Sequence, residues 1–176
     1  MFKVYHLFKA AETAYNRAMK TKGTKTIALN KRASHEYHIE ERFEAGLVLE
    51  GWEVKSLRDG RAQITDTFVV FKDNEPYIMN MHVPVFANVS THVKPEPDRS
   101  RKLLLHSRQI LQLLRAKERQ GYTIIGTALY FKDNRAKLEI ALAKGKKLHD
   151  KRQSDKDKDW KREQERINKG VGRSSK

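Results

Sequence analysis

Apolar and polar side chains alternate through much of the middle of the chain, and this pattern predicts β-strands. Between His35 and Glu44, apolar Tyr37, Ile39 and Phe43 occupy odd positions, as in a half-buried strand, with charged Glu41 as the exception. Two later stretches each predict a pair of strands joined by a turn that contains Lys-Asp-Asn. The pairs are Phe68–Phe71 with Tyr77–Val83, and Tyr122–Phe131 with Ala136–Ala143.

Two other segments repeat apolar residues at helical spacing. The segment from Ala45 to Leu57 carries such residues up to Trp52, which predicts a helix that ends before Gly60. The segment from Leu103 to Gln120 predicts a second helical zone, whose main part starts at a Ser107 cap and stops at Gly121.

The predicted elements are antiparallel strands with short helices, without alternating strand–helix–strand units. An antiparallel sheet of this size tends to close, so we expect a mainly β fold with short helices, a small β-barrel. The oligonucleotide-binding (OB) barrel is one candidate type. We divide the chain into an N-terminal extension to which we assign no fixed structure (1–22), the OB-like RNA-binding barrel domain (23–143) and a basic C-terminal tail (144–176).

Charge changes the picture most at the C-terminus. The chain has 176 residues and net charge +15, and the tail alone has 13 Lys or Arg against 6 Asp or Glu. With so few large apolar residues the tail is expected to be disordered when free. The body is basic as well, so nucleic acid is the favoured partner.

Cysteine is absent, which excludes disulfides and thiolate metal sites. No apolar run approaches the roughly 20 residues of a membrane span, and no secretion leader is evident, so we expect no membrane association and a cytoplasmic location. His35 and His38 lie three apart on a predicted strand, the wrong spacing for a zinc site. We therefore expect no metal, no cofactor and no enzymatic activity.

Basic clusters on the body are the candidates for RNA contact, because Lys and Arg bind phosphates. No recognition-helix motif or zinc finger favours DNA, and the rings of His35 and Tyr37 suit stacking on unpaired bases. The predicted contacts in these clusters are Asn30, Lys31, Arg32, Lys55, Arg58, Arg101 and Lys102.

Ordered sequence blocks carry a family resemblance. They include Lys25–Ala33, Phe43–Leu47, Gly51–Arg58, Arg101–His106 and, in the tail, Ala143–Arg152. Together they resemble the small protein B (SmpB) family, the SsrA-binding proteins of bacterial trans-translation. The resemblance runs from about residue 24 to about residue 169 of this chain.

The resemblance implies an OB barrel with flanking helices that binds the tRNA-like domain of transfer-messenger RNA (SsrA). It implies delivery of that RNA to stalled 70S ribosomes, with elongation factor Tu as a partner through the charged RNA. The family's RNA contacts carry over to Glu44 and Leu104. Where the family often has Asn after Leu105, this chain has His106, which also forms hydrogen bonds.

The tail is implied to enter the empty messenger channel and decoding site of the small subunit, against its ribosomal RNA. The family's tail motif carries over to Asp150, Lys151 and Arg152. We expect His149 to contact a decoding-site nucleotide and Trp160 to pack on the channel wall. The other basic candidates there are Lys144, Lys146 and Lys147.

Two other readings stay open. A ribosomal or translation-factor-like OB protein would bind ribosomal RNA constantly. A metal-dependent nuclease would use carboxylates such as Glu40, Glu41 and Glu44, although no Asp is spaced to join them.

Overall fold

The computed structural model describes residues 24–85, 94–118 and 121–147, together with the single positions 150, 160 and 164. The N-terminal extension, His149, Lys151 and Arg152 lie outside the described residues. So does most of the tail.

The strands are β1 (Lys25–Leu29), β2 (Tyr37–Leu47), β3 (Phe68–Lys72), β4 (Glu75–Met79), β5 (Arg101–Leu104), β6 (Tyr122–Lys132) and β7 (Arg135–Gly145). The helices are α1 (Ala33–Glu36), α2 (Gly51–Arg58) and α3 (Ser107–Lys117).

The sheet closes on itself. Six strands follow one another in the order β6-β3-β4-β5-β2-β7, and β7 pairs again with β6. All pairings are antiparallel, and β1 adds to β6 outside the ring. β3 meets β6 through a single residue pair, Phe68 with Ile125. The prediction of a mainly β fold with short helices is confirmed, whereas the OB type stays a prediction.

Both predicted turns are confirmed. Asp73 and Asn74 have φ of 51° and 62°, and Asp133 and Asn134 have φ of 49° and 60°. Two consecutive residues with positive φ form the tight hairpin turn that matches strand twist, and Asn and Asp tolerate this conformation better than most residues.

The ring interior holds the main hydrophobic core. Its fully buried side chains include Leu57, Ile64, Ile78, Leu103, Leu129, Leu138 and Ile140. A smaller cluster of Ala33, Ile125, Ala141 and Ala143 packs beside Tyr37 and Ile39. The alternation predicted from the sequence separates a buried from an exposed face on β2, whereas residues 124–131 of β6 and 138–143 of β7 are buried at consecutive positions.

The first helix prediction is wrong at its start. β2 continues to Leu47, and α2 begins only at Gly51. The helix starts there because the Glu53 carboxylate accepts the backbone N–H of Glu50 at 2.6 Å, half of a capping arrangement that fixes the first turn.

The second helical zone is also wrong at its start. Residues 101–104 form β5, which pairs with both β2 and β4, and α3 begins at Ser107 with His106 as its N-cap. Sheet pairing on both sides outweighs the local helical spacing.

Smaller differences concern the strands. β4 ends at Met79, four residues before the predicted end at Val83. His35 lies in α1, so the strand predicted from that residue begins at Tyr37. β7 runs two residues past Ala143 to Gly145. β1 was not predicted as a strand, because its short segment shows no regular alternation.

Candidate nucleic-acid interface

A row of side chains crosses the outer face of the sheet. Leu104 of β5 is opposite Gly46 of β2, Gly46 is opposite Lys137 of β7, and Lys137 is opposite Tyr130 of β6. Tyr130 is in turn opposite Thr26 of β1. We call these five positions the cross-strand row. Only strand register brings them together, because they come from five separate segments of the chain.

Glu44 lies beside the row and gathers two cations and a phenol. Its carboxylate accepts the Tyr130 hydroxyl at 2.8 Å and Lys132 Nζ at 3.1 Å, and Lys137 Nζ is 3.6 Å away. Partial burial favours the neutral form of Glu44, but the bonds from Tyr130 and Lys132 outweigh it, so the pKa lies below its ordinary value. The carboxylate therefore holds Lys132 and Lys137 in place beside the row.

Tyr130, which donates its hydroxyl to Glu44, is harder to ionise than a free tyrosine. Burial and the bond to Glu44 both raise the pKa of the Tyr130 phenol. The hydroxyl therefore stays a neutral donor.

Leu104 gives the row an apolar end. Its side chain is 53% exposed although it is large and hydrophobic. A Cβ at Gly46 would be 3.2 Å from the Leu104 Cβ, so the glycine leaves the space in which Leu104 lies against β2. An exposed leucine beside two ordered lysines suits a ribose or base next to phosphates.

Lys102 lies two residues before Leu104 and therefore faces the same side of β5. It forms an ion pair with Glu75, which also accepts the Tyr77 hydroxyl at 3.0 Å. The hydrogen bond to Lys102 lowers the pKa of Glu75. The structure thus places the predicted Lys102 near the row. His106 is exposed at the start of α3, where its backbone N–H donates to the Gln109 side chain at 3.0 Å.

Arg101 requires a correction. Its side chain is fully buried, and Nε donates to the buried Glu53 carboxylate at 2.6 Å. Its other N–H groups donate to the backbone carbonyls of Met81, Arg99 and Pro97. These bonds leave the guanidinium inside the fold, away from any phosphate, so we assign Arg101 to the structural framework.

Asn30 also has a structural role. Its amide donates to the carbonyls of Thr65 and Gly126 at 2.8 and 2.9 Å, and its side-chain oxygen accepts the Ala33 N–H at 3.1 Å. The amide is fully used within the fold. The neighbouring Lys31 and Arg32 are exposed in the turn before α1.

The remaining predicted body residues are spread over other surfaces. His35 and Tyr37 are half-buried in and after α1, and Lys55 and Arg58 are exposed on α2. None of these four residues belongs to the cross-strand row, so their RNA contacts stay predictions.

The start of the predicted tail belongs partly to the body. Lys144 is inside β7, with Nζ 5.6 Å from the Tyr122 ring centre, and Lys146 donates to α1. Lys147 and Asp150 are exposed, and Trp160 is 67% exposed.

Sequence reasoning missed Lys132 and Lys137. The usable signal was the alternation in β7, which puts Lys137 on the outer face between buried Leu138 and half-buried Ala136. The sequence does not predict the strand register, which places Lys137 opposite Gly46.

Within the described residues, no group of three or more potential ligands is placed to hold a metal ion. No helix among those residues is both long and apolar enough to span a membrane.

Comparison with known proteins supplies the family context. The family model described as SmpB protein matches residues 27–170. The SsrA-binding protein of Xanthomonas euvesicatoria pv. vesicatoria (strain 85-10) is 53% identical over 152 residues, covering 86% of this chain and 91% of the relative. That of Xanthomonas campestris pv. campestris (strain B100) is 52% identical over 154 residues, covering 88% and 92%.

A solved chain described under "tmRNA-SmpB: a journey to the center of the bacterial ribosome" is also similar. It is 40% identical with a TM-score of 0.58, and the match covers 69% of this chain and 85% of that one. The matched family consists of RNA-binding proteins, so the prediction that the chain is not an enzyme is confirmed.

Proposed function

The chain belongs to the SmpB protein family, and from this premise we propose that it is an adaptor for ribosome rescue. It binds the tRNA-like domain of transfer-messenger RNA and brings that RNA to stalled 70S ribosomes for trans-translation. The relatives named SsrA-binding protein and the tmRNA-SmpB structure support this function. A cytoplasmic location follows from these partners, and elongation factor Tu joins through the charged RNA.

The cross-strand row is the observation that carries the proposal. The row contains Lys137 and the exposed Leu104, and Glu44 beside the row orders Lys137 together with Lys132 on the same face of the sheet. Ordered cations bind phosphates at a lower entropic cost than free ones, and an apolar contact adds what charge alone does not supply.

The tail completes the proposed function. We assign it to the empty messenger channel, with His149 at a decoding-site nucleotide, Lys151 and Arg152 on phosphates, and Trp160 on the channel wall. The high exposure of Trp160 supports this role, because an exposed indole gains apolar contact when it packs on a second surface.

A pair of matched leucines tests the interface. Leu104 and Leu111 are 53% and 55% exposed, on β5 and α3 respectively. We expect Leu104→Ser to weaken binding to the isolated tRNA-like RNA by roughly tenfold and Leu111→Ser to leave it unchanged. Equal affinity of the two variants would place the RNA on another face.

Co-purification separates this function from that of a ribosomal or translation-factor-like protein. An adaptor retains transfer-messenger RNA in stoichiometric amount, which sequencing of the bound RNA identifies. A constitutive ribosomal protein would instead follow the ribosomal subunits through high-salt washes.

A further inference from the structure

The junction between body and tail is built more firmly than a linker requires. β7 ends at Gly145, which is opposite Tyr37 at the beginning of β2. The next residue, Lys146, forms two hydrogen bonds to α1. Its backbone N–H donates to the Glu36 carbonyl at 2.9 Å, and its Nζ donates to the Ser34 carbonyl at 2.8 Å. The chain leaves the sheet attached to a helix.

The acceptors suit a cation. The last four backbone carbonyls of a helix have no N–H partner within the helix. Because α1 has only four residues, the carbonyls of Ser34 and Glu36 are among them. A lysine ammonium satisfies one of them and is favoured at a helix C-terminus.

The helix itself is held in place at its other end. Ala33 is buried in the smaller apolar cluster, and the Asn30 side chain binds the Ala33 N–H while also holding Thr65 and Gly126. A residue attached to α1 is therefore attached to the rigid body and not to a loop.

The adjacent lysines differ from Lys146. Lys144 lies over the Tyr122 ring on β7. The Lys147 side chain is exposed, and its backbone N–H donates to the Asp150 carboxylate at 3.2 Å. That carboxylate is 3.9 Å from His38 Nε2 on β2, so Asp150 also lies beside the body.

We propose that Lys146 is a positioning residue that clasps the end of β7 to α1 and sets the direction in which the tail leaves the body. The Lys146 side chain then binds another part of the same protein, whereas the sequence analysis predicted that it contacts the ribosome. The inference rests on the proposed function, because a fixed departure direction matters only if the tail must reach a defined channel. A restricted start raises the effective concentration of the tail at that channel.

Direction is measured on the free protein. The natural chain contains no cysteine, so spin labels at R108C, an exposed position on α3, and at Q164C report one body–tail distance. In that background we expect Lys146→Met to broaden or shift the distance distribution. We expect Lys147→Met, which removes the same charge one residue away, to leave it unchanged, and Lys146→Arg to restore it.

Function is measured separately with the unlabelled chain. We expect Lys146→Met to bind the tRNA-like RNA within twofold of wild type and to tag peptides on stalled ribosomes roughly three- to tenfold more slowly, the equivalent of about one ordinary intramolecular hydrogen bond. Lys147→Met should keep the wild-type body–tail distance distribution, and Lys146→Arg should recover the wild-type tagging rate.

Two results would overturn the clasp. One is an unchanged distance distribution in Lys146→Met. The other is equal loss of tagging in Lys146→Met and Lys147→Met with identical distributions, since tail charge alone would then act. Failure of the proposed function looks different, because the wild-type chain itself would neither bind the RNA nor support tagging.

Discussion

Two glutamates, Glu53 in the interior and Glu44 on the surface, each gather two basic side chains with different results. Glu53 is fully buried and accepts Arg101 Nε at 2.6 Å and Arg99 Nη2 at 2.5 Å. Glu44 has a 36% exposed side chain and lies beside Lys132 and Lys137. The charges are alike, but burial and the number of remaining donors differ.

The donors decide what each cluster can bind. The Arg101 guanidinium gives its N–H groups to Glu53 and to three backbone carbonyls. A lysine ammonium has three donors, and the contacts with Glu44 leave Lys132 and Lys137 able to donate outward. A basic residue in a charged sequence cluster is therefore a candidate for RNA contact only if its donors are not consumed within the protein.

The largest expected effect comes from breaking the interior cluster. Arg101→Met leaves the buried Glu53 carboxylate with less compensation, so we expect a stability loss of about 3–5 kcal/mol in urea unfolding. Lys102→Met, one residue away and half-exposed, is the control and should cost less than about 1 kcal/mol. If instead Arg101→Met were stable and failed only in RNA binding, the interior assignment would be wrong.

Next in size is the loss of a surface cation. Lys137→Met should weaken binding to the tRNA-like RNA by roughly tenfold and lower the slope of log K against log salt by about 0.7–0.9, the signature of one phosphate contact. Arg115→Met removes an exposed charge on α3 and should change neither quantity. A slope equal to that of wild type would mean that Lys137 does not touch phosphate.

A smaller effect should follow from Glu44→Gln. The amide removes the charge that orders Lys132 and Lys137 without removing either cation, so we expect affinity to fall about threefold at an unchanged salt slope. Titrations at several salt concentrations measure both. Full affinity in this variant would show that the lysines need no ordering by a carboxylate.

The smallest effect concerns acid stability. Because the pKa of Glu44 in the folded state lies below its ordinary value, its ionised form stabilises the fold above pH 4.5, and that contribution is lost as pH falls through the lowered pKa. At pH 7 the free energy of unfolding of wild type should exceed that of Glu44→Gln by well under 1 kcal/mol, since the carboxylate is partly exposed. This difference in free energy should disappear towards pH 3. A gap that widens on acidification would contradict the sign of the shift.

Local signals in the sequence were enough for part of this structure. The hairpins and their Asp-Asn turns depend on residues that are neighbours in the chain, and both are found where expected. β5 and the extension of β2 to Leu47 depend on partners far along the chain, such as the pairing of Leu47 with Leu103 and the bond of Arg101 to Glu53, which local periodicity does not contain.

The interface shows the same limit. Glu44 and Leu104 were predicted as RNA contacts from the family resemblance. In the structure Leu104 is part of the cross-strand row, and Glu44 lies beside it. Lys137 carries no local mark that separates it from other exposed lysines, because its position follows from pairing with Gly46. Arg101 was assigned to RNA because its neighbours are basic, and only burial separates it from Lys102.

The single residue pair that joins β3 to β6 gives the closed ring a seam. Elsewhere the ring is held by ladders of two to ten pairs, whereas here the Asn30 amide ties Thr65, ahead of β3, to Gly126 on β6. The fit is close, since a Cβ at Gly126 would come within 2.5 Å of Thr67 Oγ1. We predict that this seam closes late in folding and opens first in the native state, because so few pairs hold it. Amide hydrogens on the β3 side of the seam, around Phe68, should therefore exchange with solvent sooner than those of the β6–β7 ladder.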